Sequence, residues 1–185
     1  MSTLYSIGAM NQLGDALGKA GFTAEDVTKL KQFKDLGKLR DVLSGKAFIA
    51  YPEHLIDCDS APLVPNGWTV EEHKKGGFLK FDPAKISLYR SKKQKKGIIG
   101  GHDLRKELAN KPVMNANVLD YLLAHPELIP EEWKGEYTFF WGTIYRGSDG
   151  GLYVRYLGWS GSRWFWHYYW LGFDFGFDNP AAHAS

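Results

Sequence analysis

Cysteine is almost absent: Cys58 stands alone in 185 residues. An intrachain disulfide is therefore excluded, and the chain suits a reducing compartment such as the cytoplasm. No stretch approaches the roughly 18 consecutive apolar residues of a membrane-spanning helix, so no membrane partner is expected. The segment Met1–Ala20 lacks a basic start followed by an apolar run, which argues against a secretory signal. Also missing are a Walker-type phosphate loop, a dinucleotide glycine fingerprint, Cys-x-x-Cys pairs, His-Glu-x-x-His and Gly-x-Ser-x-Gly. Those absences remove the usual nucleotide, zinc and hydrolase signatures. They give no reason to expect a cofactor and favour a protein without catalytic activity. Net charge is also small, +2, and names no partner by itself.

The distribution of charge says more than its sum. Residues 1–70 carry 7 basic and 8 acidic side chains, residues 71–111 carry 12 and 5, and residues 112–185 carry 4 and 8. A basic middle is thus flanked by two mildly acidic ends. Aromatic residues are abundant, at 15% with seven Trp, ten Tyr and eleven Phe. A chain of this length buries roughly 70% of its unfolded surface on folding, so it needs no covalent or metal staple.

Residues 5–44 read as two or three short helices. Ile7, Met10, Leu13, Leu17 and Ala20 recur at helical spacing, and Gly21 is a stop. Thr23 and Asp26 have the spacing of a capping box, with Phe22 and Val27 as a hydrophobic staple. Leu30, Phe33, Leu36, Leu39 and Leu43 carry the apolar stripe to Ser44-Gly45. Ala47–Tyr51 suits a strand closed by Pro52, followed by a Pro- and Gly-broken loop. Thr69–Glu72 repeats the capping-box pattern and predicts a short helix ended by Gly76-Gly77. Strands are expected over 77–82 and 85–90, an exposed turn over the Lys-rich 90–96, and helices over 103–108 and 117–125, the latter capped by Asn117.

From Glu136 the pattern becomes β. Segments 136–146, 152–159 and 163–171 are joined by two Gly- and Ser-rich hairpin loops and predict an antiparallel meander. Strict alternation puts Tyr137, Phe139, Trp141 and Tyr145 on one face and Phe140 and Ile144 on the other. In the last strand Trp164, Trp166, Tyr168 and Trp170 oppose Phe165, His167, Tyr169 and Leu171. A one-sided sheet carries polar residues on its solvent face; here both faces are apolar. Either helices from both ends of the chain cover the two faces, or one face meets a partner. The tail after Leu171 is expected to be mobile.

Three groups of residues are candidates for function. The first is the aromatic sheet, with Trp141, Trp164 and Trp166, which fits a protein partner or a second copy of the chain. The second joins Arg90, Lys92, Lys93, Lys95 and Lys96 to Arg155, whose cations and neighbouring aromatics suit phosphates and stacked bases. Beside it, Gly97–Gly100 has the Gly-x-x-Gly form of one RNA-binding clamp, without that module's surrounding pattern. The third is Asp57-Cys58-Asp59 with His73. Its two carboxylates and imidazole are of the types that hold a metal ion, and Cys58 beside a histidine is a possible thiol nucleophile.

Asn115–Lys134 (NANVLDYLLAHPELIPEEWK) and Phe139–Arg146 (FFWGTIYR), followed by Leu152–Leu157, resemble a group of small proteins common in candidate-phylum bacterial genomes. The resemblance extends upstream through Ile56–Asp59 and Gly67–His73 to the helical start. It implies a free-standing bacterial protein and brings no activity, ligand or catalytic residue with it.

The expected fold is α+β: a helical segment over 1–45, then an α+β region over 46–185 whose C-terminal aromatic meander spans 136–171, with one continuous domain as the alternative. The expected function is that of a cytoplasmic interaction protein. Nucleic-acid binding through the Lys-rich turn is the alternative, and a small metal or thiol enzyme at Asp57, Cys58, Asp59 and His73 the third reading.

Overall fold

The computed structural model describes residues 6–48 and 54–184. They belong to two compact units, one reaching to Ala50 and the other starting at Tyr51. The first contains helices α1 (Ile7–Lys19), α2 (Ala24–Gln32) and α3 (Leu36–Leu43). Local chemistry sets their ends. The Ala9 N–H donates to Ser6 Oγ at 3.1 Å at the start of α1, and Gly21, at φ 85°, makes the left-handed turn beyond its end. At α2 the capping box forms in both directions: Asp26 N–H donates to Thr23 Oγ1 (3.2 Å) and Thr23 N–H to Asp26 Oδ2 (2.9 Å). No residue within these three helices is buried. Of the strand expected at Ala47–Tyr51, residues 49–51 lie outside the described residues, and Ala47 and Phe48 are not in a strand.

The second unit contains β1 (Leu55–Asp57), β2 (Thr69–His73), β3 (Phe78–Lys80), β4 (Ile86–Tyr89), β5 (Ile99–Gly100), α4 (Gly101–Leu108), α5 (Ala116–Ala124), β6 (Thr138–Arg146), β7 (Leu152–Trp159), β8 (Trp164–Trp170), β9 (Asp174–Phe175) and β10 (Ala181–Ala184). The fold is α+β, and β6, β7 and β8 form the antiparallel meander. The other edge of β6 is shared: β2 pairs with its C-terminal half, and β10 runs parallel to it at Phe139, with β4 outside β10. The unit's own helices cover both sheet faces. Val118, Leu119 and Leu122 of α5 pack with Phe140, Leu157 and Trp133, while Leu104 and Leu108 of α4 pack with Phe139, Trp141, Ile144 and Phe175.

Several local expectations are corrected. Thr69–Glu72 is strand rather than helix. Gly76-Gly77 leaves too little chain for a stable helix, whereas β6 offers a ladder, and Glu71 and Glu72 find Arg146 and Arg105 as partners. The cap of α5 is Asn115, not Asn117. The tail is ordered: its small side chains allow β10 to slot between β4 and β6, with Ala182 on the α5 side and Ala181 on the α4 side. Gly97–Gly100 does not form a clamp loop, because Ile99 is buried and Ile99–Gly100 pairs with β9.

Alternation along β6 also fails midway, because the register shifts between Phe139 and Ile144. Ile144 thereby joins Phe139 and Trp141 on the α4 side, and Tyr145 turns to the opposite side, edge-on to Tyr168. Between Phe139 and Ile144 β6 advances five positions while β7 advances two, from Tyr156 to Val154, and an odd surplus in one strand reverses the parity of everything after it. Gly142 makes this irregularity possible: a Cβ there would lie 2.8 Å from the backbone N and Cα of Asn115. Its N–H donates to Met114 O (2.8 Å) and its carbonyl accepts from Lys74 N–H (2.7 Å).

Candidate functional site: the aromatic edge strand

Among the described residues, β8 pairs with β7 on one side and with no strand on the other. Hydrogen bonds at the two ends of the hairpin define which backbone groups face out. Leu171 N–H donates to Leu152 O (2.8 Å), and Ser160 N–H to Arg163 O (3.0 Å). In an antiparallel ladder bonded and non-bonded pairs alternate. Residues 165, 167 and 169 therefore bond inward to β7. Trp164, Trp166, Tyr168 and Trp170 aim their N–H and C=O groups at the open edge. Trp170 O accepts from Phe173 N–H (3.2 Å). At the centre, His167 folds over the edge: its Nδ1 accepts from Tyr168 N–H (2.8 Å) and lies 3.0 Å from Tyr168 O.

The side chains along this edge are held from beneath. Arg155 of β7, 1% exposed, donates from Nη1 and Nη2 to Asp120 of α5 at 3.1 and 2.6 Å. That two-pronged pair fixes the guanidinium plane. Arg155 Cζ lies 4.1 Å from the centre of the Trp166 ring, a cation–π contact that orients the indole. Trp68 packs at a tilt against Tyr153 and Tyr168, with ring centres 4.6 Å apart in both pairs. Trp166 and Trp170 emerge 37% and 41% exposed. Burial pushes the Tyr145 hydroxyl up to about 12. That hydroxyl, Tyr168 Oη and Arg155 Nε are all buried without a hydrogen-bond partner.

The aromatic candidates thus divide. Trp166 faces outward and Trp164 is half-buried against Trp159. Trp141 is 3% exposed and belongs to the core. Arg155 is spent on Asp120 and does not face solvent. Sequence reasoning missed Asp120 and Trp68. Neither has a local signal, since each gains its role from a strand distant in sequence.

The basic candidates divide as well. Arg90 is withdrawn: its Nη2 lies 2.6 Å from Glu136 Oε1, and its guanidinium sits 4.4 Å over the Phe177 ring. Lys74 is turned inward, donating to the carbonyls of Leu108, Ala109 and Lys111 at the end of α4. Lys92, Lys93, Lys95 and Lys96 are exposed and pair with no carboxylate among the described residues. Their turn is nailed down by Gln94. That side chain accepts from Ser91 N–H (2.9 Å) and donates to the carbonyls of Gly176 (3.0 Å) and Asn179 (2.8 Å).

The third group is built into the scaffold. Asp57 Oδ1 accepts from Asp59 N–H (2.9 Å), and Asp59 Oδ1 accepts from the N–H groups of Gly76 (2.9 Å) and Gly77 (2.8 Å). His73 bridges Thr143 Oγ1 (2.9 Å) and Cys58 O (3.0 Å). Because that carbonyl only accepts, Nε2 carries a proton. Among the described residues, no group of three or more His, Cys, Asp and Glu is placed to hold a metal ion. Burial first, then Asp57 and Asp59, pushes the Cys58 thiol up, which opposes the thiolate a nucleophile requires.

Among the described residues no helix is long and apolar enough to cross a membrane. Compared with known protein families, curated proteins and solved structures, the chain matches none.

Proposed function

We propose that this is a non-catalytic interaction protein of the reducing cytoplasm that receives an extended protein segment along the outer edge of β8. The observation that carries the reading is the outward row of backbone groups at Trp164 and Trp166 and the N–H of Trp170, flanked by the exposed indoles of Trp166, which Arg155 orients, and Trp170. Strand addition takes its affinity from main-chain bonds and its specificity from alternate side chains. Trp166, held by Arg155 and Asp120, loses little side-chain freedom on binding, which favours an anchor role. The test is selection of extended peptides from a displayed library, followed by amide hydrogen exchange of the labelled protein with the selected peptide. Slowed exchange at Trp164 and Trp166, with binding at least tenfold weaker in Trp166→Lys, is expected. Slowed exchange confined to other segments would overturn the reading.

A second reading, contact with nucleic acid, is favoured by the rigid turn of Lys92, Lys93, Lys95 and Lys96. Anchoring through Gln94 holds four cations in one footprint. If all four neutralise phosphates of a duplex, log affinity falls with log salt at a slope of about −3.6. A slope that stays the same when these four lysines are changed to Ala removes this reading.

A further inference from the structure

Resting on the reading of β8 as a docking edge, we propose that its partner is β8 of a second copy, antiparallel, with the two-fold axis at His167. The strand reads Trp164-Phe165-Trp166-His167-Tyr168-Tyr169-Trp170, and aromatic residues stand at the same distances on either side of the histidine. Folding a second copy over that axis places Trp164 against Trp170 of its twin, Phe165 against Tyr169, Trp166 against Tyr168, and His167 against itself. Every pair is aromatic on aromatic, the cross-strand combination that strengthens antiparallel ladders.

Backbone parity agrees with this register. The outward groups belong to residues 164, 166, 168 and 170, which are symmetric about 167. Trp166 and Tyr168 of the twin then form a hydrogen-bonded pair, as do Trp164 and Trp170, where Trp170 O takes the twin's N–H on its second lone pair beside the bond from Phe173 N–H. His167 meets its twin as a non-bonded pair, where Cα atoms approach to about 4.5 Å. A foreign segment would impose no such symmetry on β8. The strand also carries no Asp, Glu, Lys or Arg, the residues with which solitary edges ordinarily resist self-pairing. Two identical strands thus meet with no like-charge clash, in an isologous contact that closes on itself. The twin sheets would continue through β7 and β8 into β8 and β7 of the other copy.

His167 regulates the contact. In the single chain its ring occupies Tyr168 N–H, which the twin's Trp166 carbonyl requires, so the imidazole must swing aside as the strands meet. His167→Ala, lacking this competitor, is expected to self-associate more tightly.

The test combines mass with register. Sedimentation or light scattering over a concentration series is expected to show a species of double the 20.9 kDa chain mass, lost in Trp166→Lys while far-ultraviolet circular dichroism is unchanged. In a Cys58→Ala background, mild oxidation is expected to cross-link His167→Cys into a covalent dimer and to leave Trp166→Cys, which faces Tyr168, uncoupled. A monomer at every concentration overturns the proposal. So does a dimer that cross-links at neither position, or equally at both. If the monomer still shows peptide-dependent slowing of exchange in β8, only self-pairing has failed; if it shows none, the docking reading has failed with it.

Discussion

The N-terminal helices α1 and α2 and the helix α5 use the same local devices to opposite ends. Ser6 and Thr23 cap α1 and α2, and Asn115 caps α5 through Asn117 N–H at 3.2 Å. In all of them apolar residues recur at helical spacing. Yet no residue of α1, α2 or α3 is buried, whereas Ala116, Val118, Leu119 and Leu122 of α5 all are. The Asn115 side chain also does more than cap: Nδ2 donates to Cys58 O (2.9 Å) and Lys74 O (3.0 Å), tying α5 to two other segments. A cap and a stripe suffice to choose helix over coil locally. Stability comes only when the stripe finds a surface, because short isolated helices are marginal in water.

The sharpest way to break this comparison is a matched pair of truncations. Leu119→Ala, at 0% exposure, is expected to cost the second unit about 3 kcal/mol in denaturant unfolding, since a buried leucine leaves a cavity. Leu13→Ala, at 52% exposure, is expected to cost about 0.5 kcal/mol or less. Equal losses would mean that the N-terminal stripe is as buried as the α5 stripe.

Gly142→Ala comes next, at about 2 kcal/mol, because its Cβ meets Asn115 backbone rather than a flexible side-chain tip. A neutral result by thermal and denaturant unfolding would show that α5 is not seated against the β6 irregularity.

Tyr145→Phe removes a buried hydroxyl that has no partner and is expected to stabilise the second unit by about 1 kcal/mol. It also has a pH signature. Below pH 10 the hydroxyl is protonated in both folded and unfolded chains, so its contribution is constant. Above that the unfolded chain releases the proton first, and stability falls as pH rises from 10 toward about 12. The unfolding free energy measured across that range is expected to fall less steeply in Tyr145→Phe.

The smallest effect sharpens the comparison from the other side. Thr23→Ala removes one cap, worth about 1 kcal/mol to α2. Exchange of α2 amides is expected to accelerate, while unfolding of the second unit, followed by its tryptophans, is unchanged.

The α2 capping box and the three-stranded meander were legible because their signals lie within a few residues. The tail was not, since Ala181 and Ala182 gain their roles only from β4 and β6, far away in sequence. Nor were Asp120 beneath Arg155, the neutralisation of Arg90 by Glu136, or the anchoring of the Lys-rich turn by Gln94. For the same reason Asp57, Asp59 and His73 looked like ligands by residue type, but in the fold they bind backbone amides, a carbonyl and a hydroxyl.

By itself the sequence determined where α2 begins, which segments pair as hairpins, and the near-symmetric aromatic order of β8. Those depend on backbone dihedrals, caps and side-chain periodicity, which act over a few residues. Tertiary structure alone decided which aromatics are core and which are surface, because burial is a property of whole elements meeting. A three-residue surplus in β6 around Gly142 reversed the faces of Ile144 and Tyr145. The open edge of β8 is likewise tertiary: an N–H or C=O is free only once every other strand has taken its place.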